Sequence, residues 1–434
     1  MRTAPSALLP GFSRAGGVTP RLIALGLCLQ GLCAPIYAQA PPPAVSPDPD
    51  GKHSGAPLGQ FTAGPFIITP TFRIGTLAVD TNVQYQRERT ADFVASGGPG
   101  LDIALPFLDH WKLDIQGSSQ YFYFHRTKEL RRWTGGGTAA LLWETTGTRA
   151  SISTGLNRDF SRPNFEVDTR VATRQSNVSG SLERDLGRLT MVLRASLNIT
   201  DVDQGQTFRG ADLAKALTTN RYDVRPELRY RLTPLSSLLL EGMYGVTRLP
   251  NASSRSFSQE SGGLGLLTTG FFKGQVTAGI RRNRLDSGAA VKSLPYLRGS
   301  LSQKLGRRLS LRENYSQESA VSAFAVDGSL PTFEHKSLTV ELAILITSRI
   351  DMRFGGTRDR TLSDGVVQIV ADDGSVVKAK RDDVAYIGRG DLGMRLGRAR
   401  ASIFASYTTR DSQFFSDFGI QGFQAGGRVE YAPR

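Results

Sequence analysis

The sequence predicts an all-β fold, a closed antiparallel transmembrane β-barrel of about 18 strands, and three observations carry that expectation. Apolar and polar side chains alternate with period two through most of the chain after Phe61, tight turns recur about every 40 residues, and longer polar connections fall between them. An export signal and a linker come first.

Arg14 and Arg21 precede an apolar run from Leu22 to Ile36, and Ala38-Gln39-Ala40 offers a small-x-small cleavage site, so residues 1–40 read as a signal peptide. Gln30, Gly31 and Pro35 break the run, which is too short to serve comfortably as a membrane anchor. Residues 41–60 are dense in Pro, Gly and polar side chains and bury too little apolar surface to order themselves, as in a periplasmic linker. From Phe61 onward no comparable break occurs, which predicts one domain over 61–434.

Both cysteines, Cys28 and Cys33, lie inside the signal. The mature chain then has no disulfide, thiolate ligand or cysteine nucleophile, and four histidines argue against a transition-metal centre, so no cofactor is expected. The formal charge of +14 falls to +11 once Arg2, Arg14 and Arg21 are removed with the signal. Acidic partners follow from that balance: lipopolysaccharide phosphates or an anionic glycan, and not nucleic acid, since basic and aromatic residues nowhere interleave.

The alternation is clearest from Ser337 to Thr347, where Leu338, Val340, Leu342, Ile344 and Ile346 oppose Ser337, Thr339, Glu341 and Thr347. From Arg221 to Leu232, Tyr222, Val224, Pro226, Leu228 and Tyr230 oppose a wholly charged face. Thr190–Asn198 and Trp111–Tyr121 obey the same rule. Turns fall near Asp109, Gly147, Gly187, Ser236, Gly270, Gly306, Ser348 and Gly397, three of them within a repeated Leu-Gly-Arg. Longer links run from Arg126 to Arg131, Asp201 to Thr218, Asp286 to Ala290, Val321 to Pro331 and Leu362 to Lys380. Short turns on one side and long loops on the other are the outer-membrane pattern, with both termini periplasmic.

Two other β architectures compete. A propeller would place four short strands in each interval of about 40 residues, whereas only two long ones are present here. A soluble sandwich would turn the apolar rows inward and leave large uncovered sheet faces with open edges. A closed barrel pairs every backbone N–H and C=O, as hydrocarbon demands, and points the apolar rows at lipid. Tyr121, Tyr123, Tyr244, Tyr407 and Tyr431 suit its interfacial girdles. Glu313 breaks the rule by falling in the outward row of Leu309, Leu311 and Tyr315, which predicts a bulge or a shifted register there. The last strand carries Tyr431 three residues before the end, short of a terminal aromatic.

Gly64-Pro65-Phe66, then Pro70, Gly75 and Asp80-Thr81-Asn82, resemble the opening of the outer-membrane family known as β-barrel porin 2. That resemblance implies an outer-membrane route for exopolysaccharide, assembly by the barrel-assembly machinery, a periplasmic export protein as partner, and a first outer loop shaped by Asp80 and Asn82. A barrel of this size can enclose an aqueous channel. Its expected pore lining is Arg194, Asp223, Arg225, Glu227, Arg229, Lys273, Arg281, Asp351, Arg353, Arg389, Asp391, Arg395 and Arg428. These groups would either bind acidic sugars in passing or pair with one another and stiffen the wall.

A structural or adhesive role for the outer loops is the alternative from another class. Catalysis is not expected. His335-Lys336-Ser337 is similar to the His-x-Ser pair of outer-membrane phospholipases, but parity turns both residues away from lipid and no glycine follows. His125 reads as a rim residue.

Overall fold

The computed structural model describes residues 61–431 apart from 86–87, 164–166, 168, 209–210, 287–290, 322–331, 364–366, 371–375, 381, 398 and 413–418. The predicted signal and linker lie outside the described residues, as does most of the predicted link from Val321 to Pro331.

Eighteen long strands form the wall. The first six are β1 Phe66–Asp80, β2 Asp92–Leu108, β3 Trp111–Phe124, β4 Arg132–Thr145, β5 Thr148–Ser161 and β6 Val171–Leu186. β7 Leu189–Val202, β8 Thr219–Thr233, β9 Ser236–Arg248, β10 Phe257–Thr269, β11 Phe272–Leu285 and β12 Val291–Leu305 follow. β13 Leu309–Val321, β14 Thr332–Leu345, β15 Ile350–Ser363, β16 Asp382–Leu396, β17 Ala399–Ser412 and β18 Ile420–Tyr431 complete it. Each pairs antiparallel with its sequence neighbours, and β1 pairs with β18 through a bulge between Ile74 and Leu77, so the sheet closes. Closure removes both edges, which is what permits a sheet to sit in lipid.

All eight predicted tight turns fall where one strand hands over to the next. The repeated Leu-Gly-Arg has a backbone cause: Gly187, Gly306 and Gly397 sit at φ of 82°, 76° and 61°, a region that a side chain disfavours. β14 stops at Leu345, one residue after its last regular outward position, because Ile346 and Thr347 already belong to the turn that bonds back to Ile350.

Two of the predicted long links hold hairpins of their own, while the link from Asp286 to Ala290 lies, after Asp286, outside the described residues. Asp201–Thr218 contains a two-residue hairpin and a five-residue helix, Leu213–Leu217, capped by the Asp212 side chain. Between β15 and β16, Val367–Val370 pairs with Val376–Ala379 as a hairpin separate from the barrel sheet.

Apolar rows run laterally across the outside. Tyr230, Leu238, Leu266 and Val276 are successive register partners on β8 to β11, all exposed, and Ile280 on the same row of β11 is 65 % exposed. Trp111 and Tyr121 on β3 stand ten residues apart, about 26 Å of height at about 3.4 Å per residue and a tilt of about 40°. That matches the apolar band of outer-membrane barrels. Trp111 meets Phe107 and Trp143 at the tight-turn end, and Tyr121 meets Trp133 at the other, so aromatic pairs mark both limits.

Glu313 requires a correction. β13 pairs with β12 and β14 without a register shift, Glu313 opposing Leu301 and Val340, so no bulge turns it inward. The carboxylate stands in the outward row. Glu313→Leu should therefore stabilise the folded barrel, by about 1–2 kcal/mol in urea titrations of the protein in lipid vesicles.

Two clusters of buried apolar residues join the long-loop ends of the strands to the connections beyond them. Val167, Val171, Val202, Leu213 and Ala214 form one cluster, and Val83, Val94 and Phe124 another.

Candidate functional site

The rows opposite the lipid-facing ones point into the barrel, and all thirteen expected lining residues stand on them. Their parity follows from the exposed partners beside them, such as Met191 and Leu193 flanking Val192 before Arg194, or Met394 and Leu396 around Arg395. For 18 strands spaced about 4.8 Å apart and tilted about 40°, opposing backbones lie about 36 Å apart. Wall side chains alone do not fill that width.

The inward charges organise into two ladders. In the first, on β6 to β8, Arg225 and Arg194 are direct register partners, a like-charge pairing that would repel. They lean apart. Arg225 Nε donates to Asp223 at 2.9 Å, and Arg194 Nη1 to Glu227 at 2.9 Å. Glu227 also accepts from Arg229, whose guanidinium lies 3.7 Å from Glu183, while Arg221 lies 3.4 Å from Asp223. Asp223 is 5 % exposed, so partners surround its charge instead of water.

The second ladder spans β13 to β17. Arg400 Nη2 donates to Asp351 at 2.5 Å and to Asp391 at 2.6 Å, and Arg353 lies 3.6 Å from Asp351. Glu341 takes Arg389 and lies 3.7 Å from Arg312. Two of these contacts bridge an intervening strand over a glycine. A Cβ on Gly355 would come within 2.6 Å of Arg389 Nε, and one on Gly393 would collide with the Arg400 guanidinium. Each arginine lies flat across the bare backbone to reach its carboxylate.

The ladders face one another. Their centres, β7 and β15, are eight strands apart in a ring of 18, one short of diametric. Each contains four arginines and three carboxylates, so each keeps a net positive charge. A third node joins Arg298 and the Tyr296 hydroxyl, at 2.9 Å, to Glu241.

Ten of the expected residues enter ion pairs, the tenth being Arg281, 3.6 Å from Glu318. Arg428 Nε donates to Gly75 O at 3.2 Å, and Lys273 and Arg395 stand exposed beside the tight turns. Arg400, Arg312, Glu183, Glu241 and Arg298 were not singled out by sequence, and Glu341 only as a member of its strand's polar face, although parity alone places each on an inward row. His335 Nδ1 meets Thr361 Oγ1 at 3.1 Å and its Nε2 lies 3.8 Å from Asp359. Ser337 shares its inward row. His125 is exposed at the rim, 3.5 Å from the Tyr123 hydroxyl.

Two connections meet at the long-loop mouth: 81–91, the first outer loop that the resemblance implies, and 162–170, which is not among the long links read from the sequence. Four strands separate them around the ring, yet Arg170 Nε donates to Val83 O at 3.0 Å and its Nη2 to the Tyr85 hydroxyl at 3.4 Å. Both must lean inward over the rim to meet. Tyr85 has a φ of 56°, alone among the described non-glycine residues, and the guanidiniums of Arg170 and Arg162 lie 4.9 Å and 5.5 Å from its ring. Asp80 accepts from the Asn82 backbone N–H at 2.9 Å, and Asn82 Nδ2 donates to Gln421 O at 3.0 Å, so both residues shape the first loop.

Asp92 anchors the next loop from above the membrane band, three residues beyond Ala95, the register partner of Tyr123. It is 3 % exposed, and burial pushes its carboxyl up. Hydrogen bonds from the Thr127 side chain and from the backbone of Thr127, Arg126 and Phe93 outweigh that and hold it at about 2. A depressed carboxylate contributes its anchoring fully above the ordinary value of 3.8 and loses it as pH falls through about 2. Amide exchange at Arg126 and Thr127 should accelerate over that window relative to the wall. Asp92→Asn should expose Arg126 and Lys128 to trypsin at neutral pH.

No family model matches this chain, and no curated protein matches it. Solved structures similar to it are outer-membrane proteins. A BenF-like porin from Pseudomonas fluorescens Pf-5 has a TM-score of 0.49 at 12 % identity over 83 % of this chain and 97 % of its own. Acinetobacter baumannii OccAB4 has 0.45 at 12 % over 85 % and 98 %, and Pseudomonas aeruginosa OccK2 (OpdF) in complex with glucuronate has 0.46 at 12 % over 86 % and 98 %. The likeness concerns architecture and decides nothing about cargo.

Proposed function

We propose that the chain forms an aqueous, anion-preferring pore in the bacterial outer membrane for hydrophilic solutes, acidic saccharides among them. The observation that carries this reading is the pair of opposed ladders, each with one arginine more than it has carboxylates. A guanidinium that already shares a carboxylate can exchange it for a passing one in the same bidentate geometry, which favours transit over retention. An exopolysaccharide is the cargo implied by the sequence resemblance, and one built from acidic sugars would present such carboxylates repeatedly.

Planar-bilayer recording tests the pore. Purified, refolded protein should give discrete conductance steps and favour chloride over potassium in a salt gradient. A silent bilayer, with loops 81–91 and 162–170 shortened as well, would leave adhesion through the outer loops as the better reading. Export is tested separately, since deletion of the gene should lower extracellular acidic polymer.

A further inference from the structure

In the two ladders arginines are met by carboxylates, but one cavity at the long-loop rim departs from that habit. It has a volume of about 310 Å³ and is lined by Arg131, Arg132, Trp133, Arg158, Asp159 and Ala172. Three guanidiniums surround it. Arg131 is oriented by carbonyl oxygens, donating from Nε to Phe124 O at 2.7 Å and from Nη2 to His125 O at 3.3 Å, and it lies 4.3 Å over the Tyr123 ring. Arg132 rests 3.2 Å over the Phe160 ring and donates from Nη2 to Glu129 O at 3.3 Å. Its Nε is buried with no hydrogen-bond partner among the described residues.

Carbonyls and rings fix direction without cancelling charge. The carboxylate in the lining, Asp159, is engaged by its own chain, accepting from Phe160 N at 2.7 Å and Ser161 Oγ at 2.6 Å. Arg158 has Asp203 at 3.4 Å, but that pair is largely solvated, with side chains 60 % and 50 % exposed, and is correspondingly weak. A compact multivalent anion would neutralise what remains. Phosphate monoesters fit best, because they carry nearly two charges and three acceptor oxygens that guanidiniums grip bidentately.

The level of the cavity suggests where such a group comes from. Trp133 is 58 % exposed on the lipid side and packs on Tyr121 at 5.3 Å, in the aromatic pair that marks the headgroup boundary. We propose that this cavity binds a phosphate monoester, the chemistry carried by outer-leaflet lipopolysaccharide and by free phosphorylated sugars alike, with the glycolipid favoured by its position at the girdle. The inference rests on the outer-membrane part of the proposed function and not on conduction, so a silent but folded barrel would still bind.

The test uses the full chain in detergent with Trp111→Phe and Trp143→Phe, which leaves Trp133 as the single reporter, and heat-shift gels to verify folding. Diphosphorylated lipid A should shift Trp133 emission saturably, and the folded Arg132→Gln/Arg158→Gln variant should need at least about tenfold more lipid. Glucose 6-phosphate that competes with lipid A would place the phosphate itself in the cavity and admit a soluble source. Lipid A that binds without such competition, yet loses its effect when dephosphorylated, would assign the source to the membrane. Equal binding of dephosphorylated lipid, or titrations unchanged in the double glutamine variant, would overturn the proposal.

Discussion

Val276→Arg should destabilise the barrel by about 2–4 kcal/mol while Gln275→Arg, its immediate neighbour, changes stability by less than about 1 kcal/mol. Val276 stands exposed on the outward row, five residues above the Phe271–Phe272 aromatic pair and therefore near the middle of the apolar band. A guanidinium there must desolvate or thin the bilayer. Gln275 lies on the inward row, where its Nε2 reaches Thr277 Oγ1 at 3.1 Å, and a longer cation remains in water. Urea titration in vesicles reads the difference, with heat-shift gels as a check on folding. Equal losses at the two positions would mean that neither row faces lipid, and the pore would go with that orientation.

The second large effect concerns ion preference. Glu227→Gln with Glu341→Gln removes a carboxylate from each ladder and should raise the chloride-over-potassium permeability ratio several-fold. Arg194→Gln with Arg353→Gln removes a cation from each and should bring the ratio to unity or below. Arg353 is the better exposed of the two arginines, its side chain 43 % open, so more of the second effect should come from it. Both shifts should shrink between about 0.1 M and about 1 M salt, as the screening length falls from about 10 Å to about 3 Å. Reversal potentials that move the same way in both variants would exclude the ladders as the selectivity element.

Strand number, the eight tight turns and the inward row were legible because period-two alternation is a local signal. Each strand reports on its own which residues meet oil and which meet water. The ladders were legible as members but not as pairs. Arg389 finds Glu341 only because Gly355 is the register partner of both, a fact that needs two neighbouring alignments at once. The inward lean of the first loop was hidden for a related reason. Val83 is apolar like a strand residue, and only the contact with Arg170, 87 positions away, shows that it reaches over the mouth. The link read from Leu362 to Lys380 does leave the wall, and within it Val367–Val370 and Val376–Ala379 pair into a hairpin of their own. At Glu313 the alternation held and the expected bulge did not, since the residue stands where its parity puts it, on the lipid-facing row of β13.

The arginines that lie across Gly355 and Gly393 have a further consequence. Laid along the surface, they give the bore a smooth inner skin whose cations are tethered at both ends, by their own backbone and by a carboxylate two strands away. A methyl group on either glycine would lift its arginine upright like the arm of a turnstile. Smallness at those two positions therefore governs calibre as well as charge, and selection for traffic would act on a residue that has no side chain to touch the cargo.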